Sequence, residues 1–234
     1  MATSLVVGRM AVLVLLLGAP ALAQKIFDLS ADFSLENNPN KVWQYGYSAT
    51  NSLAPDQFQL DKQADKTGPV GFWHPDSNKG PGPGYYPYIA YNTTKQSQAG
   101  PSPNGWVVQG GEVAMEPSNS GQYSLVRFVA PVTGTYKISA QFAGVHVWST
   151  TDVHVLHNGT SVFDADIDGY GGDPAFRQVQ GASPTAAYSG QIKMKANDTV
   201  TFAVAYGKNK TNSGDTTGLF ARIVLLDGKG SGGH

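Results

Sequence analysis

Residues Asp164 to Gly169 read D-A-D-I-D-G, the D-x-D-x-D-G opening of a calcium-binding loop. Carboxylates are hard oxygen donors, and a loop that turns them inward encloses an ion of calcium's size. The match fails at the twelfth position from Asp164, where Ala175 replaces the bidentate glutamate of such loops. Phe163, Ala165 and Ile167 alternate with the aspartates, as on a half-buried strand. A straight strand spaces alternate carboxylates about 6–7 Å apart, too far to share one ion, so only a turn at Asp168–Gly169 gathers them.

The residues upstream sharpen the choice. Asn158-Gly159 is a hairpin signal. A three-residue loop, Asn158 to Thr160, sets Val153 and Val155 against Ala165 and Phe163, and Asp152 and His154 against Asp166 and Asp164. One wet face then carries all four polar groups. Opposed aspartates repel unless a cation, a protonated His154 or water relieves them. Two readings stand: a structural calcium ion held by Asp152, Asp164, Asp166 and Asp168, or the solvent side of a sheet.

Aromatic residues form the second candidate site. Sugars lay their apolar C–H faces on Trp and Tyr rings, with polar groups at the rim. "GFWHP", "GYYPYIAY" and "HVWST" supply Trp73, Tyr85, Tyr86, Tyr88 and Trp148 as a ligand platform. Trp106 and some of the tyrosines are read equally well as core beneath loops. Trp43, Tyr45 and Tyr47 alternate along one segment and are assigned to the core.

Other chemistry is sparse. "EVAME" spaces Glu112 and Glu116 like the carboxylates of some β-glucan hydrolases, but Ala114 stands where those have an aspartate. No G-x-S-x-G or H-E-x-x-H occurs, so no catalytic activity is expected. Four N-x-S/T sequons, at Asn92, Asn158, Asn197 and Asn209, would carry glycans in a host able to attach them.

These residues need a scaffold, and the apolar period supplies one. Tyr136, Ile138, Ala140 and Phe142 alternate; so do Val200, Phe202, Val204 and Tyr206, and Leu219, Ala221, Ile223 and Leu225, while Val126 and Phe128 share a face. No segment after Gln24 has a capped helical period. Short strands separated by Gly, Pro, Asn and Asp predict an antiparallel β-sandwich. Pro55 to Pro117 holds nine of the fourteen prolines and is expected to form long Pro/Gly-rich loops over one side or end.

Composition sets the setting. Arg9, an apolar run and "ALA" at Ala21 to Ala23 resemble a cleaved secretory signal, so residues 1–23 are read as a signal peptide, 24–226 as one domain and 227–234 as a flexible tail. The chain is expected to be secreted and extracellular. It has no cysteine, which excludes disulfides and thiol catalysis. Charged residues are only 14% and net charge is -1, so neither nucleic acid nor an anionic membrane is an expected partner. No later stretch is long and apolar enough to span a membrane.

"APVTGTYKISAQF", Ala130 to Phe142, resembles the strand–turn–strand signature of jelly-roll carbohydrate-binding modules and related secreted sandwiches. Pro131 ends one strand, Gly134 allows the turn, and Tyr136 opens the next strand. "ADFSLENNPNKVWQYGY", "TTDVHVLHNGTSVF" and "DTTGLFARI" are similar to a group of secreted bacterial domains with no assigned function. The resemblance implies an all-β, jelly-roll-like antiparallel sandwich. The expected function is non-catalytic binding of a polysaccharide or other extracellular glycan. The alternative is a structural subunit of a matrix, coat or filament, self-associating through its low-charge surface or a sheet edge.

Overall fold

The computed structural model describes residues 24–75, 86–102 and 105–228. The expected signal peptide, Tyr85 and residues 229–234 of the tail lie outside the described residues.

In chain order the strands are β1 (Lys25–Asp28), β2 (Trp43–Ser48), β3 (Phe58–Leu60), β4 (Gln63–Thr67), β5 (Val70–His74), β6 (Tyr88–Asn92), β7 (Gln98–Ala99), β8 (Val107–Val108) and β9 (Val113–Glu116). They continue as β10 (Ser124–Val129), β11 (Gly134–Gly144), β12 (Asp152–His157), β13 (Thr160–Asp166), β14 (Asp168–Tyr170), β15 (Gln180–Ser183), β16 (Thr185–Met194), β17 (Thr199–Ala205) and β18 (Thr217–Gly228). One departure from the all-strand expectation is α1 (Leu29–Asp32), a single turn whose Ala31 N–H donates to the Asp28 side chain.

Two antiparallel sheets face each other as a jelly-roll β-sandwich. The first runs β16-β11-β18-β9-β6-β5-β4 and the second β13-β12-β17-β10-β2-β3. β18 is long enough to pair along one side with both β9, through residues 217–219, and β1, through residues 222–225. The core between the sheets follows the period of two. Tyr136, Ile138 and Phe142 of β11 meet Val126 and Phe128 of β10, and all five are fully buried. Trp43 and Tyr45 of β2 join them. Each such side chain contributes about 1.5–3 kcal/mol on leaving water.

The proline-rich region is more ordered than its composition suggests. Residues 55–117 supply β3 to β9, including four neighbouring strands of the first sheet. The prolines flank the ladders rather than interrupt them: Pro69 precedes β5, Pro75 follows it, Pro87 precedes β6 and Pro117 follows β9. At those positions a missing N–H costs no ladder bond. Strands of two to five residues result. Trp106 and Val108, from the segment after β6, cover Val70, Ala90 and Ala114 on the sheet's outer face.

The β12–β13 hairpin has the expected register, Asp152↔Asp166, Val153↔Ala165, His154↔Asp164 and Val155↔Phe163. Its loop is not the expected one. Asn158 and Gly159 form a two-residue turn, with φ of 48° and 81°, between His157 and Thr160. The odd residue is absorbed by a bulge opposite Val155–Leu156, which leaves Val162 without a partner and exposed.

Candidate functional site

Antiparallel pairing brings many candidate residues to one end of the sandwich. Gly144 pairs with Thr217, Thr217 with Met115, Glu116 with Tyr88, Ser124 with Val204, and Asp152 with both Ala205 and Asp166. The loops of residues 117–123, 145–151 and 206–216 therefore meet at this end.

Trp148 sits in the second of these loops and is 57% exposed. Its ring edge lies over Gly214 of the third loop, 3.6 Å from where a Cβ would stand, and Gly214 has a φ of +78° that L side chains disfavour. Beneath the indole the loops are pinned by buried polar groups. Ser149 Oγ donates to the carbonyl of Gly214 or Thr216, each at 3.2 Å. Asp215 is fully buried and accepts from Thr150 N at 2.7 Å and Thr150 Oγ1 at 3.1 Å on one oxygen, and from Asn209 Nδ2 at 3.1 Å on the other. Asn212 reaches the first loop, donating from Nδ2 to Pro117 O at 3.3 Å and from N to Asn119 Oδ1 at 2.7 Å.

A polar row runs from this loop toward Tyr88. Thr216 Oγ1 donates to Glu116 Oε2, and Glu116 lies opposite Tyr88 in the ladder. Burial lifts the Glu116 carboxyl well above its usual range; the Thr216 hydrogen bond opposes this and the Asp215 charge adds to it. Burial, with the Glu116 charge behind it, raises the phenols of both Tyr86 and Tyr88. The two rings are 5.7 Å apart, and Tyr88 also meets Phe72 edge-on at 5.5 Å. Thr216, the partner of Glu116, also offers its carbonyl to Ser149 Oγ beside Trp148, and of the three rings only Trp148 is largely exposed.

Trp73, expected on the platform, is in the core. It is 5% exposed, stacks with Tyr45 at 6.4 Å and donates from Nε1 to Ser34 O at 2.7 Å. Its segment is strand β5 rather than a loop, and alternation turns the indole inward.

The aspartates do not gather. His154 Nε2 meets Asp152 Oδ2 at 2.8 Å, and its Nδ1 meets Asp164 Oδ1 at 2.5 Å. Lys208 Nζ meets Asp166 Oδ2 at 2.5 Å. Asp168 begins β14, paired with Ser183 of β15. Among the described residues no three His, Cys, Asp or Glu side chains are grouped to hold a metal ion. Three of the four carboxylates expected to hold calcium instead meet a basic side chain, Asp152 and Asp164 at His154 and Asp166 at Lys208.

Glu116 ends β9 and Glu112 stands just before it; the Glu112 carboxylate lies against Gly218, which pairs with Ala114. Both glutamates are buried, and Glu112 accepts from Gln109 N at 2.7 Å. Of the sequon asparagines, Asn158, Asn197 and Asn209 are exposed. Asn92 is not: its Nδ2 donates to Gln96 O and Val108 O inside the fold, leaving no room for a glycan.

Sequence reading missed Asp215, Thr216, Asn212 and Ser149, which set the Trp148 loop. For Asn212, Asp215 and Thr216 the one signal is the stretch "KNKTNSGDTTG", dense in turn-forming and hydrogen-bonding side chains.

No protein-family model matches this chain, and no curated protein matches it. Solved structures similar to it include CBM51 from Clostridium perfringens GH95 in complex with methyl-galactose, 10% identical, with 58% of this chain and 87% of that chain covered and a TM-score of 0.34. A family 35 carbohydrate-binding module from Clostridium thermocellum is 14% identical, with 56% and 83% covered and a TM-score of 0.29. Rabbit GITRL is 15% identical, with 45% and 73% covered and a TM-score of 0.28. Similarity of this size carries no argument about what the chain binds, and the sandwich rests on its own strand pairing.

Proposed function

We propose that this chain is a secreted, non-catalytic binding module for an extracellular glycan, and that the glycan lies on the Trp148 face of the loop end. The observation that carries the reading is an exposed indole on a pinned base. An indole more than half in water gains little for folding, and here two loops are fixed around it by buried hydrogen bonds to Asp215, Ser149 and Asn212. A flat apolar ring held rigidly suits the C–H face of a pyranose, because little conformational entropy is lost on binding. Tyr86, half-buried beside Tyr88, extends the aromatic surface.

Retention of the mature protein on a panel of neutral polysaccharides tests this. Wild type is expected to be retained on at least one polymer, and Trp148→Ala to weaken that retention at least tenfold with an unchanged circular dichroism spectrum. Full retention by Trp148→Ala would move the site elsewhere. The shallow groove on the outer face of the first sheet, lined by Gln141, Phe220 and Arg222, would be next. Retention on no polymer would overturn the glycan reading.

A further inference from the structure

Among the described residues five strands lie at the edges of the two large sheets, and four of them discourage the addition of another strand. β3 has three residues and β1 has four. β4 is short, exposed and carries Asp65 and Lys66. β13 is interrupted by the bulge at Val162 and bears Asp164 and Asp166. Short length, charge and bulges are the usual protections of an edge.

β16 has none of these along most of its length. Its ten residues pair with β11 without a register break, contain no proline and carry one charge, Lys193, next to the end. No strand lies on its other side among the described residues. Ala186, Tyr188 and Ile192 on its core face are only partly buried, as is Phe163 on nearby β13, 5.6 Å from Tyr188. The apolar interior is incompletely covered along this side.

We propose that β16 pairs antiparallel with β16 of a second copy about a two-fold axis at Ser189, joining two sheets into one. A second copy fits because the edge is self-complementary in that register. Tyr188 faces Gly190 of the second copy, Ala186 faces Ile192, and Lys193 faces Thr185, so no like charges oppose. An axis one residue further would set Gly190 against Gly190, with no cross-strand side-chain pair at the axis itself. The outward side chains Thr185, Ala187, Ser189 and Gln191 are small or neutral, so two copies approach without burying a charge.

Sedimentation of the mature protein across a concentration series tests the dimer, and three variants test the axis. Wild type is expected at twice the monomer mass. Ser189→Glu sets two carboxylates opposite each other across the axis and should weaken dimerisation at least tenfold. Its melting temperature should hold, because Ser189 is exposed and faces Ser139 in its own ladder. The chain has no cysteine, so Ser189→Cys should give a dimer linked by one disulfide on oxidation. Lys193→Cys should not, since two such residues would stand about 27 Å apart along paired strands. A monomer at every concentration would overturn the proposal. So would a dimer that survives Ser189→Glu, or one that cross-links at residue 193 as readily as at 189.

Discussion

Thr150 donates its backbone N–H to Asp215 Oδ1 at 2.7 Å, across the two loops that frame Trp148. The acceptor is fully buried, and burial raises its carboxyl above the usual range while the Thr150 and Asn209 hydrogen bonds draw it back. Asp215→Ala leaves the Thr150 and Asn209 donors without their acceptor. Hydrogen bonds to charged groups are worth about 1.5–3 kcal/mol each, so a loss of about 2–4 kcal/mol is expected. Polysaccharide retention should fall with it, because Trp148 loses its fixed base. Urea denaturation and affinity chromatography on the same variant check both; an unchanged urea midpoint would mean that the contact does not hold the loops.

Two tryptophans with similar sequence surroundings should behave oppositely. Trp73→Ala empties a core position and is expected to cost about 3–5 kcal/mol. Trp148→Ala is expected to change stability by less than about 1 kcal/mol, because the ring is largely in water already. Denaturant midpoints for the pair measure this. Equal losses would place both rings in the core.

The legibility of the chain follows this contrast. Strands β10 to β13, β17 and β18 are visible because alternation is a local signal: Tyr136, Ile138 and Phe142 are where their spacing puts them. The register of β12 against β13 is legible too, since only one pairing keeps Val153 and Val155 on the core side. The division between turn and bulge is not, because a two-residue turn with a bulge and a three-residue loop give the same pairing. Trp73 and Trp148 are indistinguishable by composition. Which indole faces water depends on β5 pairing with β4 and β6, a long-range fact that proline content obscures. Asp215 is hidden for the same reason: Thr150, which gives two of its three donors, is 65 residues away in the chain.

The hairpin turn offers a direct check. Gly159 has a φ of +81°, and a Cβ there would stand 2.3 Å from Pro55 Cγ. Gly159→Ala thus meets both backbone strain and a clash with a stiff ring, and should destabilise by about 1–3 kcal/mol. Asn158→Gly, at the neighbouring position with φ of 48°, should be tolerated better, losing chiefly the Asn158 Oδ1 acceptor for Thr199 N. Thermal melts of the two variants compare them, and the opposite order would contradict the two-residue turn.

Asp61 should be a stabilising site to mutate. Its side chain is buried and neither carboxylate oxygen has a hydrogen-bond partner among the described residues. Burial alone drives its carboxyl well above the usual range. Leucine has the same Cγ-branched skeleton and no desolvation penalty, so Asp61→Leu is expected to raise stability by about 1–3 kcal/mol at neutral pH. The gain should shrink in acid, where wild-type Asp61 is neutral. Guanidinium midpoints at pH 4 and pH 8 measure both parts, and a destabilised variant at pH 8 would contradict the buried, unpartnered carboxyl.

The pH dependence of stability follows from groups shifted in known directions. Burial alone would lower His154, but the hydrogen bonds and charges of Asp152 and Asp164 outweigh it and raise the imidazole above its usual value. The stability this gives is whole below about pH 6.5, the unfolded value, and is lost as pH rises through the higher folded value. Burial pushes Glu112 up to about 7, with the Gln109 hydrogen bonds opposing. Its unfolded form ionises at about 4.5, so the folded state loses ground between about pH 4.5 and 7, by about 3 kcal/mol in all. Asp61 and Glu116, also raised by burial, act in the same direction. In Asp152 burial is the largest influence and raises the carboxyl, yet contacts with His154 and the Gly207 N–H together carry it below its usual value. Asp164 is held down mainly by its hydrogen bond to His154. Their stabilisation is present above about pH 4 and lost as pH falls further. The fold should therefore be most stable near about pH 4–5 and weaken steadily toward pH 8. Urea midpoints taken at unit steps from pH 3 to pH 9 should trace that slope. Glu112→Gln should flatten it between about pH 4.5 and 7, and His154→Gln above about pH 6.5. A wild-type midpoint that rises from pH 5 to pH 8 would contradict the burial of these carboxyls.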